Sequence, residues 1–392
     1  MIIKQNNDYI VDNLHCQQCG ACISVCNKNA IECSRNKKTG LLILNISYEK
    51  CVKCGRCYNI CPANKDTSII DIYAYCKEKS YYIGFNKNNT IRSISSSGGV
   101  ARTIIIEGLR CGLFDGVYTL KKTDKYPFVE GAFYTKDNIP DYKDIPNSVY
   151  HSVPIAINMK TIKKCKKILI VGTTCQLIAL NQYVKDKCDI VYSLCIFCKQ
   201  QKTFESTKFI AKIAGVNLKT FNDIKCFSYR GGGWPGYCSF NCKSVPWSIA
   251  ALIPFGRKIW TVPGCKICGN PFGVDVDITV LDPWCIETDS KFGKNLIVVH
   301  SEKGHYLLNN IQNLVLENKL LSDVEEALMY DDIIKKNGLI PYYLGNTKDP
   351  NLISKGKSVD KQKILLERFF SSIPRLPLIA YRVLNKIIKD KR

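Results

Sequence analysis

Apolar runs alternate with short polar or glycine-rich turns through the middle of the chain, and their lengths predict strands and helices in alternation. Residues 166–184, KKILIVGTTCQLIALNQYV, indicate a buried strand that ends at Val171, then a turn and a helix. Residues 95–120, SSSGGVARTIIIEGLRCGLFDGVYTL, predict a Ser/Gly-rich loop, a helix with apolar periodicity and a strand that opens at DGVYTL. A further strand pattern ends at Asp282. Together these segments predict a mixed α/β body.

The C-terminal part of the chain has helical periodicity instead. Residues 305–328, HYLLNNIQNLVLENKLLSDVEEAL, predict helix. The segment 361–392 is basic, is broken by Pro374 and Pro377, and interleaves apolar residues with Arg and Lys. Such a segment can lie on an anionic membrane surface or dock to a partner. We favour the alternative, a helix that packs on its own domain.

Length and composition predict a globular protein with two or three packed units. The chain has 392 residues, of which 46% are hydrophobic and 23% charged. The longest apolar stretch is interrupted by polar residues and is shorter than the roughly 20 residues that span a bilayer. The first residues, MIIKQNNDYIV, lack the pattern of a secretory signal. We therefore predict a cytoplasmic protein without a transmembrane segment.

The formal charge of +22 predicts a basic surface that attracts acidic partners or a polyanionic cofactor. We do not predict nucleic-acid binding, because no binding module, basic stripe or base-stacking pattern stands out.

Cysteine usage changes the picture most. The chain has 22 cysteines, and eight of them form two sets with the spacing C-x2-C-x2-C-x3-C: Cys16, Cys19, Cys22 and Cys26, then Cys51, Cys54, Cys57 and Cys61. In this spacing three thiolates hold one iron-sulfur cube and the fourth reaches a second cube. We predict one 4Fe-4S cluster on the first three cysteines of the first set with Cys61, and another on the first three of the second set with Cys26. Gly20 and Gly55 lie inside the two loops.

A pair of structural zinc sites is the alternative, because zinc also uses C-x2-C pairs. Two equal runs of four cysteines are harder to explain with zinc. Asn27 stands after the first set where Pro62 follows the second, but neither residue supplies a ligand. Residues 1–78 are therefore predicted to be a bacterial-type two-cluster ferredoxin domain.

Five motifs of the α/β body, SSSGGV, GTTCQ, IFCKQ, YRGGGWPG and CKIC with VDITVLDPW, occur in the order seen in one family. Residues 80–300 resemble the beta subunits of coenzyme F420-reducing hydrogenases and F420-linked formate dehydrogenases, in the branch fused to a ferredoxin domain. The resemblance implies a family N-terminal region at 79–155, a family C-terminal region at 156–330 and a helical basic tail at 331–392. The fold class is thus a small ferredoxin domain followed by a larger mixed α/β flavin-binding domain and a helical tail.

The same resemblance implies FAD and a third 4Fe-4S cluster. The cysteines that match the family pattern are Cys175, Cys198, Cys265 and Cys268. The matching phosphate and flavin positions are Ser96, Ser97, Gly98, Gly99, Thr173 and Gln176, with Tyr229, Arg230, Gly231, Gly232 and Gly233 beside the ring or its substrate. Arg230 is the candidate cation that would stabilise a reduced flavin; a structural arginine paired with a carboxylate is the equal alternative.

Some positions depart from the family pattern, and alternatives stay open. Thr174 stands where the family has Pro, and Leu281 where it often has Gly, which weakens a claim on F420 itself. Cys195 forms a C-x2-C pair with Cys198; it could compete as a cluster ligand, or the pair could form a four-thiolate zinc site with Cys265 and Cys268.

Three functions remain in competition. The first is a flavin and iron-sulfur oxidoreductase that links ferredoxin or F420H2 to an organic acceptor, such as a polysaccharide intermediate. The second is an electron-transfer subunit whose catalytic centre lies on a partner subunit. The third is a zinc protein without redox activity.

Overall fold

The structure, a computed structural model, describes residues 1–5, 8–65, 71–286 and 291–390. Two β-hairpins and two short helices make up the N-terminal cysteine-rich domain. Their bounds are β1 (Ile2–Gln5), β2 (Asp8–Val11), α1 (Ala21–Val25), β3 (Ile31–Arg35), β4 (Leu42–Ile46) and α2 (Arg56–Ile60). A 3-10 turn, Pro62–Asn64, follows α2.

The two halves of this domain are built alike. α1 and α2 are each five residues long, and each begins after a glycine with left-handed backbone, Gly20 at φ 84° and Gly55 at φ 73°. Only glycine adopts this conformation without steric cost. The last cysteine of each set, Cys26 and Cys61, ends its helix. The sequence repeat is thus a structural repeat.

One eight-stranded mixed sheet dominates the rest of the chain. In chain order, the elements between residues 72 and 214 are α3 (Ile72–Lys77), β5 (Ser80–Asn86), α4 (Asn89–Ser93), α5 (Val100–Arg110), β6 (Gly116–Lys122), β7 (Val129–Thr135), β8 (Cys165–Gly172), α6 (Thr174–Val184), β9 (Cys188–Ile196) and α7 (Phe204–Ala214). The elements that follow are β10 (Phe227–Ser228), β11 (Tyr237–Phe240), β12 (Lys243–Pro246), α8 (Trp247–Ala250), β13 (Ile278–Leu281), β14 (Asn295–Val299), α9 (Glu302–Asn310), β15 (Leu314–Lys319), α10 (Leu321–Leu328), α11 (Tyr330–Asn337), α12 (Ile340–Tyr343), α13 (Pro350–Ser372) and α14 (Leu378–Asp390).

The strand order in the sheet is β15-β5-β14-β13-β9-β8-β6-β7. The four central strands, β13, β9, β8 and β6, form a parallel block. On one side of it β14, β5 and β15 are added in antiparallel pairs, and on the other side β7 pairs antiparallel with β6. The central strands are buried on both faces, as the continuous apolar run at 168–171 requires. The predicted mixed α/β class is confirmed.

Residues 72–77, which we assigned to the ferredoxin domain, pack elsewhere. Ile72 and Cys76 of α3 lie in a hydrophobic cluster with Tyr81, Leu296 and Val298 of the main sheet. The helix predicted over residues 305–328 is wrong in its middle, because Leu314–Lys319 form the edge strand β15, paired antiparallel with β5. Only its two ends, α9 and α10, are helical.

The described residues of the basic segment 361–392 lie on two helices, the end of α13 and α14, separated where Pro374 and Pro377 stand. Phe370 of α13 and Tyr381 of α14 are fully buried in one cluster with Phe209 of α7. Lys212 of α7 donates hydrogen bonds to the carbonyls of Phe370 and Ile373 at the end of α13. Within the part of the chain that is described, no helix combines the length and the apolar character needed to cross a membrane.

Candidate metal and cofactor site

The structure groups the eight N-terminal cysteines as their spacing predicts. Burial raises the pKa of Cys19 well above its ordinary value, and Cys61, Cys22 and Cys16 raise it further. Burial also raises the pKa of Cys57 to about 11, with Cys26, Cys51 and Cys54 adding to the rise. Each predicted cluster site therefore has its four thiols close enough to influence one another.

The first of these sites is a cavity. Its lining includes Cys16, Cys19, Cys22 and Cys61, with apolar Leu42 and Leu44 beside them. Thiolates are the form that binds metal, and buried thiols without a cation stay protonated. Iron ions of a bound cluster would keep these four cysteines as thiolates, so the residues present fit a 4Fe-4S cluster.

A third thiol group forms at one edge of the main sheet, from three separate segments. Cys175 is the second residue of α6, directly after β8, and Cys198 follows the end of the neighbouring strand β9. Cys265 lies in a 3-10 turn, Pro263–Ile267, and Cys268 ends that turn. Carboxyl ends of parallel strands are the usual place for a site in an open α/β sheet.

The four thiols of this group act on each other. Burial raises the pKa of Cys175 and of Cys198 well above the ordinary value, and Cys265 and Cys268 add to both rises. The backbone N–H of Gln201 donates to Cys265 Sγ at 3.3 Å, a contact that would also stabilise a metal-bound thiolate. These residues fit a third cluster, as the family resemblance implied.

Cys195 lies outside this group but near it, since Cys268 contributes to the rise in its pKa after burial and two hydroxyl hydrogen bonds. It is fully buried in the core below the sheet edge, and its Sγ is 3.9 Å from the Thr174 hydroxyl. Burial raises its pKa to about 12. Cys265 and Cys268 both raise the pKa of Cys175, directly after burial, whereas at Cys195 the contribution of Cys268 comes last; the structure therefore favours Cys175 as the fourth member of the set. Among the described residues, no group of three or more His, Cys, Asp or Glu side chains is placed to hold a single metal ion.

The three thiol groups are neighbours, which the sequence did not reveal. Cys57 of the second ferredoxin site raises the pKa of Cys22 in the first. Cys19 of the first site in turn raises the pKa of Cys175 in the third group. The ferredoxin loop is also bonded to the main body, because the N–H of Ala156 donates to the carbonyl of Cys19 at 2.9 Å. The groups thus follow one another in a row from the ferredoxin domain to the sheet edge.

Arg230 is buried at the same sheet edge and holds three loops together. Its guanidinium donates to Asp282 Oδ2 at 2.8 Å, to the carbonyl of Ser96 at 2.7 Å and to that of Pro235 at 2.7 Å. It also donates to the Tyr150 hydroxyl at 3.1 Å. Burial alone would lower the pKa of Arg230, but Asp282 and Tyr150 raise it above its ordinary value.

Arg230 and Tyr229 are both closed off from solvent in this structure, and their catalytic assignment stays a prediction. The side chain of Arg230 is 0% exposed and Tyr229 is 1% exposed. The Tyr229 hydroxyl contacts Thr207 and His151 within an aromatic cluster. The structural alternative for Arg230, an ion pair with a carboxylate, is the arrangement observed. The motifs YRGGGWPG and VLDPW carried this signal, since they contain both partners.

The Ser/Gly loop precedes α5 as predicted, but its side chains are engaged inside the protein. The Ser96 hydroxyl accepts from the Ser148 N–H at 2.9 Å, and the Ser97 hydroxyl donates to the carbonyl of Lys294. Gly99 has left-handed backbone, φ 81°, and caps α5. A Cβ on Gly98 would stand 2.6 Å from the Gly84 carbonyl oxygen. These positions shape the loop, and contact of its amides with phosphate stays a prediction.

Thr173 and Gln176 form a capping box at the start of α6. The Thr173 N–H donates to Gln176 Oε1 at 2.9 Å, and Gln176 Nε2 donates to the Val153 carbonyl at 2.9 Å. Both ends of the buried Gln176 amide are thus engaged. Thr173 is half-buried, so it keeps accessible surface beside Cys175.

The glycines 231–233 form a turn that only glycine fits. All three have positive φ, of 157°, 71° and 102°. Gly232 is exposed and its two neighbours are half-buried. Trp234, next in the chain, packs against Trp284 with the ring planes tilted by 37° and 4.8 Å between the ring centroids. The turn therefore lies at the surface, next to a pair of aromatic rings.

Comparison with known proteins follows the same division of the chain. Residues 15–65 match the model of the 4Fe-4S dicluster domain. Residues 165–323 match the model described as the C terminus of the beta subunit of coenzyme F420 hydrogenase/dehydrogenase. The third thiol group lies entirely within this second match.

Curated proteins and chains of solved structures are similar to this chain, among them the three that follow. The uncharacterized protein MJ1349 of Methanocaldococcus jannaschii is 24% identical over 315 residues, covering 71% of this chain and 82% of its own. The coenzyme F420 hydrogenase subunit beta of Methanococcus voltae is 23% identical over 258 residues, covering 62% and 84%. A chain of the F420-reducing [NiFe] hydrogenase complex from Methanosarcina barkeri aligns with a TM-score of 0.49 and 17% identity, covering 69% of this chain and 92% of that one.

Proposed function

Because the chain joins a 4Fe-4S dicluster domain to a segment of the F420 hydrogenase/dehydrogenase beta-subunit family, we propose that it is a flavin-dependent iron-sulfur oxidoreductase. Its electrons would pass between a hydride donor or a ferredoxin, FAD and three 4Fe-4S clusters. Reduced F420 is the hydride donor to test first. An organic acceptor, such as a polysaccharide intermediate, is the substrate class to screen.

The observation that supports this proposal is the row of three thiol groups. Cys22 and Cys57 influence each other across the two ferredoxin sites, and Cys19 influences Cys175 of the third group. When bound, a flavin takes a hydride and releases two electrons singly to one-electron iron-sulfur clusters. A row of adjacent sites is the arrangement that such stepwise transfer requires.

The chain's own residues would hold and shield these groups. Buried Cys16, Cys19 and Cys22 would keep the first cluster out of water, whereas exposed Cys54 would bring the second to the surface. At the sheet edge Arg230 and Asp282 fix the loops at 96, 235 and 282, so they position the flavin seat without touching it. Half-buried Ser96 and Thr173 and the 231–233 turn are the predicted positions there with accessible surface.

The test is anaerobic purification followed by iron, sulfide, zinc and flavin analysis of one sample. The proposal expects about twelve iron and one FAD per chain, at four iron per cluster. Cys198→Ser should lower iron to about eight and leave the ferredoxin signals in place. Cys226→Ser, at an exposed cysteine outside all three groups, should keep about twelve. Zinc in place of iron, or eight iron without flavin in the wild type, would reject the proposal.

An electron-transfer subunit without its own catalytic site is the second candidate. The Methanococcus voltae relative is named as a hydrogenase subunit, which favours a partner subunit for this chain as well. Turnover separates the two candidates. If the isolated chain, loaded with iron and flavin, reduces an electron acceptor with F420H2, it is an enzyme; if only a complex does, it is a transfer subunit.

A further inference from the structure

The last helix, α14, has an inner face that anchors it to the protein. Tyr381 is fully buried, and Leu384 and Ile388 pack against the same hydrophobic cluster. Asn385 accepts a hydrogen bond from the buried Arg257 at 2.8 Å and bonds it again through its own carbonyl. The helix is therefore held in a fixed orientation, and its opposite face is presented outward.

That outer face is apolar. Ile379, Val383 and Ile387 are 65%, 52% and 48% exposed, and their spacing of four residues places them in one stripe along the helix. A surface helix with one buried stripe is expected to be polar on its other side. α14 instead has two apolar faces, and the structure covers only one of them.

Positive charge lies beside the outer stripe. Arg382 and Lys386 are exposed and fall on one flank of the stripe at helical spacing. The described side chains of α14 include no Asp or Glu, and the segment 361–392 has nine Lys and Arg against two Asp and Glu. The surface is thus complementary to a negatively charged one.

The end of α13 repeats this composition. Leu365 and Phe369 are 55% and 44% exposed, four residues apart, and Arg368 beside them is exposed. Both helices of the tail therefore combine exposed aliphatic or aromatic side chains with neighbouring cations, whereas their inner residues hold them to the protein.

We propose that the outer face of α14 docks the protein on an anionic lipid surface. Aliphatic side chains flanked by Arg and Lys are the composition of helices that lie in the membrane interface. A protein partner is less well matched, because protein interfaces are depleted in Lys and rely on Tyr, Trp and Arg at their centres. The apolar stripe would enter the acyl boundary, while Arg382 and Lys386 would contact lipid phosphates.

Vesicle flotation with the full chain, purified anaerobically, tests the proposal. We expect the protein to float with vesicles of phosphatidylcholine containing a third phosphatidylglycerol and to remain behind with pure phosphatidylcholine. The variant Ile379→Ser, Val383→Ser, Ile387→Ser should bind the anionic vesicles about a hundredfold more weakly, since it removes three buried aliphatic contacts. Arg382→Glu with Lys386→Glu should abolish the preference for anionic vesicles.

The matched control replaces three aliphatic residues elsewhere that are 38%, 72% and 42% exposed: Ile190→Ser, Leu320→Ser, Ile334→Ser. It should bind like the wild type, and all variants should keep wild-type thermal unfolding, because the inner face of α14 is untouched. Wild-type protein that fails to bind anionic vesicles would overturn the proposal, as would a stripe variant that binds as well as the control. If the wild type and the control are dimers and the stripe variant is a monomer, the face binds a second copy of the chain instead of lipid.

Discussion

At the scale of single residues, the ion pair between Arg230 and Asp282 determines how the sheet edge is built. The guanidinium has no exposed surface, and Asp282 is its carboxylate partner at 2.8 Å. A buried cation that loses its counter-charge is strongly destabilising. The pair therefore connects the stability of the protein to the shape of the three loops at 96, 235 and 282.

Asp282→Asn should lower the free energy of unfolding by about 3 kcal/mol, because Arg230 stays buried without a carboxylate. Flavin content should fall with it, since the three loops lose their common anchor. Urea unfolding and flavin analysis measure the two effects. The control is Asp141→Asn, whose partner Lys143 is 3.8 Å away and which is largely exposed. Its effect should stay below about 0.5 kcal/mol; equal effects from both variants would contradict the prediction.

His300 is a second residue whose burial has a measurable consequence. Its ring bonds the Tyr75 hydroxyl through Nδ1 and the Thr279 hydroxyl through Nε2. Burial, with a smaller contribution from Lys79, lowers the pKa of His300 to about 3. At a pH between about 3 and 6.5, the ordinary pKa of histidine, His300 is protonated in the unfolded chain and neutral in the folded protein. The free energy of unfolding therefore falls as the pH falls through this range.

Between pH 6.5 and 4.5 this one group should cost about 2 to 3 kcal/mol of unfolding free energy. His300→Gln should be less stable than wild type at pH 7 but should lose less on acidification. Urea midpoints at pH 7, 6 and 5 compare the slopes. Parallel slopes for the two proteins would show that His300 is not kept neutral by the fold.

At the scale of elements, the sequence pattern predicted those segments whose apolar period matches their final burial. The strand ending near Val171 and the helix after SSSGG are present as β8 and α5. Residues 314–319 were predicted to be helical but form strand β15. LVLENK fits a helical period, but pairing with β5 completes the edge of the sheet, and this tertiary contact overrides local preference.

The loop before α5 depends on one glycine for its fit. A Cβ at Gly98 would stand 2.6 Å from the Gly84 oxygen and 2.9 Å from the Asn295 nitrogen, and backbone atoms cannot move aside. Gly98→Ala should therefore lower the free energy of unfolding by about 1 to 3 kcal/mol and weaken flavin retention. Gly338→Ala is the control, because its nearest contact would be 3.5 Å away. Thermal unfolding of both variants, with flavin content, checks this; equal stability would contradict the predicted clash.

At the scale of the whole molecule, positive charge lies beside the exposed cysteine of the second predicted cluster. Cys54, a ligand of the second predicted cluster, is exposed between exposed Val52 and Arg56. A redox partner must approach such an exposed site closely. Positive charge there would attract an acidic one-electron carrier protein and raise the rate of encounter.

Arg56→Glu should slow reduction by an acidic ferredoxin several-fold at low salt, and the difference should vanish at about 0.5 M salt because screening removes the attraction. Lys166→Glu, at an exposed position of β8, should leave the rate unchanged. Stopped-flow reduction at several salt concentrations measures both. A slow rate for Arg56→Glu at every salt concentration would indicate damage to the cluster instead of lost attraction.

The cysteine spacing predicted how the ferredoxin thiols group, because ligand sets of this kind are local in sequence. The third set needed the family resemblance, since its members come from three segments that only the folded sheet brings together. Neither source predicted that Cys19 would lie beside Cys175, and the sequence left the ion pair of Arg230 as one of two alternatives until the structure placed Asp282 against it. Both depend on the packing of distant loops, which no local pattern encodes.

The ferredoxin domain packs directly against the larger body. Gly20 lies against Pro154 and Ile157, and Gly264 lies against the backbone of Cys16, with no room for a Cβ at either glycine. Carrier domains on flexible linkers must swing between donor and acceptor, and solvent friction then limits their turnover. Here no swing is needed between the first and third thiol groups. Electron passage inside this protein should therefore keep the same rate when glycerol makes the solution several times more viscous.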